Sequence, residues 1–184
     1  MNGMIRRGSW LLALVALGLP RAVAAQEEHP FQVALLAPIQ AFPEEDAIRG
    51  VRLSLLYGKN VSMTGFDLGV VSHTTREFLG VQFGLVGMAE GSFTGLQSTA
   101  VNLVQGDFEG LQYGIVNSVE TGRGVQIGPV NHARNFRGLQ FGLVNYAETM
   151  NGVQVGLVNI IVHGGVLPVM PLVNWSLDEG SLPN

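Results

Sequence analysis

A glycine recurs along this chain at Gly50, Gly65, Gly80, Gly95, Gly110, Gly124, Gly138 and Gly152, and each opens a segment of the same design. The step is fifteen residues four times and then fourteen three times. The clearest copies are GVQVGLVN from Gly152, GLQFGLVN from Gly138, GVQIGPVN from Gly124 and GLQYGIVN from Gly110. GLQSTAVN from Gly95 and GVQFGLVG from Gly80 are close, while GFDLGVVS from Gly65 and GVRLSLLY from Gly50 have drifted. A period this short confines the chain to folds in which every unit buries its surface on its neighbours. A ninth, distorted unit is expected from Gly165 to Asn174, where Pro168 and Pro171 interrupt the pattern.

Within a unit, character alternates. After each glycine the odd positions are apolar, as in Leu111, Tyr113 and Ile115 or Leu139, Phe141 and Leu143. Between them stand Arg52, Asp67 and then Gln82, Gln97, Gln112, Gln126, Gln140 and Gln154, followed by a small residue such as Gly84, Thr99 or Gly114. Period two predicts a half-buried strand, apolar side inward and Gln side outward. The segment ends at Asn102, Asn117, Asn131, Asn145 or Asn159, a residue suited to a turn. A further apolar column lies two residues before each glycine, Ile48, Met63, Phe78, Phe93, Phe108, Phe136 and Met150, with Gly122 the exception. It is expected to close the core from a short return segment.

Identical residues at each column favour stacking in register. The expected fold is therefore all-β, a compact parallel β-solenoid with 14–15 residues per coil, stacked at about 4.8 Å. The alternative is an antiparallel β-meander, closed in the limit as a small outer-membrane β-barrel, because alternating strands also suit that setting. In either fold Pro129 falls mid-strand and removes a ladder donor. The unit at Gly95, with Ser98, Thr99 and Ala100 in place of bulky residues, is an expected thin spot.

Residues 1–25 read as an export signal. Arg6 and Arg7 precede a short apolar run from Trp10 to Leu19, and Ala22-Val23-Ala24-Ala25 offers a cleavage site. Residues 26–49 then form a lead-in that caps the first coil, residues 50–174 the repeats, and residues 175–184 a tail. Losing the signal would take three arginines and shift the formal charge from −4 to −7. An acidic chain of this kind excludes nucleic acid as a partner. The expected address is the periplasm, the outer membrane or the cell surface.

The search for chemistry excludes more than it finds. With no cysteine there is no disulfide, thiolate metal site or thiol nucleophile. GxSxG, HExxH and P-loop patterns are absent, and the glycines follow the repeat instead of a nucleotide fingerprint. His73 and His132 share a column four units apart, about 19 Å on the stacking distance, too far for one metal. His29 and His163 stand elsewhere, so the histidines are expected as isolated surface groups. Glu120, Arg134 and Glu148 align as a charge ladder, with Glu90 in the same column, and could at most rim a site for a cation. No catalytic residue, cofactor site or metal site is assigned. The remaining surface is the flat Gln row, Gln82, Gln97, Gln112, Gln126, Gln140 and Gln154, a candidate interaction face on which Gln112→Ser should be mild.

The units GLQFGLVN and GVQVGLVN, the lead-in LLAPIQAFPEED before GVRLSLLYG, and the closing LPVMPLVNWSL together resemble a bacterial surface-repeat family of uncharacterised exported proteins. The resemblance spans roughly Phe31 to Leu177. It implies export and envelope placement, and carries over no activity or catalytic residue. The functional expectation is a non-enzymatic surface or envelope scaffold with an unknown protein or envelope component as partner. A small outer-membrane β-protein is the second reading, and a hydrolase of envelope polymers the third.

Overall fold

A computed structural model describes residues 27–177. They form β1 (Glu28–Leu36), β2 (Ile39–Gln40), β3 (Ala47–Ala89), β4 (Ser92–Tyr113), β5 (Val116–Ile127), β6 (Val130–His163) and β7 (Val169–Ser176). The long strands are not straight spans. Each winds through successive coils of a parallel β-solenoid of about eight turns. Neighbouring coils pair in parallel with every column in register: Gly80 beside Gly95, Gln82 beside Gln97, Gln112 beside Gln126, Gly124 beside Gly138. Parallel pairing rules out the antiparallel meander and the small barrel for these residues.

The glycine column is a corner. Gly95 has φ +131°, and a Cβ there would overlap the Gly80 carbonyl oxygen of the coil beneath. Backbone lies directly on backbone, so no larger residue fits. Two residues before that corner the register admits variation. Gly122 stands where neighbouring coils place an aromatic, and the Phe136 ring of the next coil leans into the space, 2.8 Å from where a Cβ would be.

The two faces are the reverse of the sequence expectation. Gln82, Gln97, Gln112, Gln126, Gln140 and Gln154 are buried, at 0–1% exposure, and so are the five ladder asparagines. The alternating apolar residues point outward: Tyr113 is 58% exposed, Phe141 53% and Leu143 54%. The column two residues before each glycine does point inward as expected. Phe78 and Phe93 stack with ring centres 4.4 Å apart and 3° between planes, and Phe93 on Phe108 at 5.9 Å. Ala89, Val104, Val119, Ala133, Ala147 and Ile161 complete this apolar half of the interior. The interior is thus divided lengthwise, one side aromatic and aliphatic, the other a column of amides. Stacking makes that division possible, because an amide whose neighbours above and below are amides is satisfied without water.

Both ends differ from the repeats. The lead-in is itself a coil: Phe31, Gln32 and Val33 lie beside Val51, Arg52 and Leu53, with Pro30 beneath the Gly50 corner. It does more than cover the first unit, since Gln32 begins the inner polar column. β2 folds back on it as a short antiparallel hairpin. At the other end the expected ninth unit is no coil. β7 reverses and pairs antiparallel to the last coil, Val173 beside Val155 and Trp175 beside Val153. It therefore runs past Asn174, where the repeats were expected to end. An antiparallel strand carrying Pro171 cannot template another parallel coil, which closes that edge. The expected export signal and residues 178–184 lie outside the described residues.

Candidate functional site

The polar column is built from residues of one shape that hydrogen-bond along the axis. Each Gln donates Nε2–H to the Oε1 of the preceding coil: Gln97 to Gln82 at 2.9 Å, Gln112 to Gln97 at 2.8 Å, Gln126 to Gln112 at 2.7 Å, Gln140 to Gln126 at 2.6 Å and Gln154 to Gln140 at 2.7 Å. The second amide hydrogen of Gln154 goes to the Ile160 carbonyl at 3.0 Å, which fixes which end of that amide is nitrogen. The asparagines form a second ladder of opposite direction. Asn102, Asn117, Asn131 and Asn145 each donate to the Oδ1 of the following coil at 2.7–2.8 Å. The Gly114 and Gly128 positions are small because a Cβ there would overlap a carbonyl oxygen of the preceding coil, Thr99 O and Gly114 O, and press on an Asn amide as well, at 2.5 and 2.8 Å.

A ladder whose donors all point toward the N-terminus needs an acceptor beyond its first Gln. That acceptor is Asp67, which takes Gln82 Nε2–H at 2.8 Å. Arg52 neutralises it from the next coil through Nε and one terminal nitrogen, at 2.9 and 2.8 Å, and both residues are fully buried. The remaining Arg52 donors reach the His73 carbonyl and Thr74 Oγ1. At the opposite end Gln154 Oε1 is left without a partner, as the direction of the ladder requires. The six glutamines are structural, and their assignment as an interaction face is corrected: they are enclosed, and no partner can touch them.

His73 is not an isolated surface group. It lies largely buried between Tyr57, whose hydroxyl is 2.8 Å from Nδ1, and Glu90, 2.8 Å from Nε2. With the proton on Nε2, the imidazole donates to Glu90 and accepts from Tyr57. Burial holds the Tyr57 hydroxyl above the ordinary tyrosine value, the Lys59 ammonium opposing this in part. The relay ties three coils together through these two hydrogen bonds. Lys59 is itself held above its usual value, first by its hydrogen bond to Glu44. His29 donates Nε2–H to Asp46 Oδ2 at 3.0 Å, with Glu27 3.9 Å away. These three form the one group among the described residues with ligand atoms close enough for a metal ion. Arg134 bridges Glu120 and Glu148 on the exposed rim.

The surface that sequence reasoning placed inside is the outer face. Phe31, Leu53, Leu55, Phe66, Leu68, Leu85, Tyr113, Phe141, Leu143 and Leu157 are all exposed on it. A groove of about 940 Å³ runs along it, between walls that include Tyr113 and Phe141 on one side and Ile115 and Leu143 on the other. Gly114, Gly128 and Gly142 line its floor, and Ser98, Thr99 and Ala100 form its low end. The thin spot read from the sequence is therefore a notch in this face. Pro129 lies here as well, at a bend of the coil and not mid-strand. The Ile115 carbonyl it cannot serve is taken by Val130 N–H at 3.1 Å. Against known proteins the chain matches no family model, no curated protein and no solved structure.

Proposed function

We propose that this chain is a non-enzymatic scaffold of the bacterial envelope, exported by its first 25 residues, and that it works through its outer apolar face. The observation that carries the proposal is the inversion of the coil. Amides are enclosed while a continuous row of Leu, Val and aromatic side chains is left exposed. Monomeric soluble proteins rarely expose apolar patches beyond about 300–600 Å², and larger ones mark interaction sites. Placement in the envelope rests on the basic, apolar and small-residue order of residues 1–25, and on the resemblance to exported surface-repeat proteins. A non-catalytic role is supported by where the titratable groups converge. Tyr57–His73–Glu90 and Glu27–His29–Asp46 stand apart from the groove and are tied up in contacts with one another.

Cell fractionation tests this. The native chain should stay with the envelope fraction, and the pair Leu85→Gln and Leu143→Gln should release it while its circular-dichroism spectrum is unchanged. Retention that ignores the outer face would refute the reading.

A further inference from the structure

The columns of the outer face contain no charged side chain from Phe31 to Trp175, and their only hydroxyls are Ser98 and Tyr113. The face is about 17 Å across, at ~3.3 Å per residue over five positions, and about 43 Å long, at ~4.8 Å for each of the nine spacings between ten strands, or roughly 700 Å² in projection. A stable protein interface takes about 600–1,000 Å² from each partner. We propose that this face is where two copies of the chain pack together, sheet against sheet. The proposal deepens the functional reading above by naming the partner.

Three properties of the face select that partner. First, all coil N–H and C=O groups run along the axis into neighbouring coils, so the groove offers no ladder to an extended peptide. A peptide laid in it would bury unsatisfied backbone groups. The occupant must present side chains. Second, the walls of the groove are rows of side chains repeating at the stacking distance, about 4.8 Å. Only a surface with the same repeat interdigitates along its whole length, as in dry zippers between sheets, and another copy of this chain has it. Third, a bilayer surface lacks that period and commonly recruits Lys and Arg. The columns of this face carry neither Lys nor Arg, and the chain as a whole is net acidic.

Sedimentation velocity of the purified chain from about 1 to about 100 μM decides the matter. The expected result is two copies per particle over that range. Phe141→Glu with Leu143→Glu should raise the dissociation constant at least a hundredfold while the circular-dichroism melt of the monomer is retained. If that pair fails to fold, Leu85→Gln should still weaken association at least tenfold. A single copy at 100 μM would overturn the proposal. So would open-ended assembly, or a monomer that floats with phosphatidylcholine–phosphatidylglycerol vesicles. In those cases, envelope retention that is still lost on substituting the face leaves the scaffold reading intact, with a different partner.

Discussion

Gln82 donates its side-chain amide to Asp67 at 2.8 Å, and at that contact a ladder of neutral amides meets a buried ion pair. Direction explains the pairing. Every Gln in the ladder faces its donor toward the N-terminus, so the first of them needs an acceptor beyond it, and the Asp67 carboxylate is that acceptor. Once that carboxylate is enclosed it needs a counter-charge, which Arg52 supplies. Asp67→Ala should therefore cost about 3–5 kcal/mol, because it strands a buried guanidinium. The double change Arg52→Gln with Asp67→Gln continues the neutral ladder and should be no less stable than the native chain. Urea unfolding of the three proteins gives the comparison. A double variant as unstable as Asp67→Ala would show that the charges have another role.

Gln112→Leu should be far from mild, contrary to what a surface position implies. It leaves Gln126 without its acceptor and Gln97 without its donor, at about 1–3 kcal/mol for each stranded group. Even Gln112→Ser is too short to reach either neighbour and should lower the urea midpoint clearly.

Phe78 and Leu79 are adjacent in sequence, yet one is 1% exposed and the other 53%. Phe78→Ala should cost about 3–5 kcal/mol, and Leu79→Ser should change stability by less than about 0.5 kcal/mol. Comparable losses from both would contradict the placement of the return segment.

Tyr57 predicts an alkaline limb in the stability curve. Its hydroxyl is held above the ordinary value of 10.0, chiefly by burial, so the folded chain keeps this proton more tightly than the unfolded chain does. The contribution is present in full below the unfolded value and is lost as pH rises through the folded one. Tyr57→Phe should flatten that part of the curve above about pH 10, as measured by denaturant unfolding.

Much of the fold was legible because stacking writes itself into a sequence as identity. The glycine corners, the parallel register and the inward Phe column all follow from which residues repeat. The sign of the alternation was not legible from polarity, since period two says only that two faces differ. Apolar residues usually go inside; here the rule fails because stacked Gln and Asn satisfy one another. A signal was nonetheless present. Gln82 to Gln154 hold one shape at every step and neighbour a column of near-uniform small residues, as crowding demands. The column of Leu53, Phe83, Ser98, Tyr113 and Val155 accepts any size, as a surface does. The groove escaped notice for the same reason, and the relay through His73 was hidden because Tyr57, His73 and Glu90 occupy different positions in their units. The antiparallel return of β7 left only Pro171, and Pro168 just before it, as a trace.

Hydrogen exchange at the side-chain amides reports the inversion most directly. Nuclear magnetic resonance of the folded chain resolves the NH₂ groups of Gln112, Gln126 and Gln140 and of Asn117, Asn131 and Asn145. If these amides form the interior ladders, they exchange only through opening of the coils, with protection like that of the neighbouring backbone. Exchange of the Gln amides at the rate of free glutamine would contradict the account.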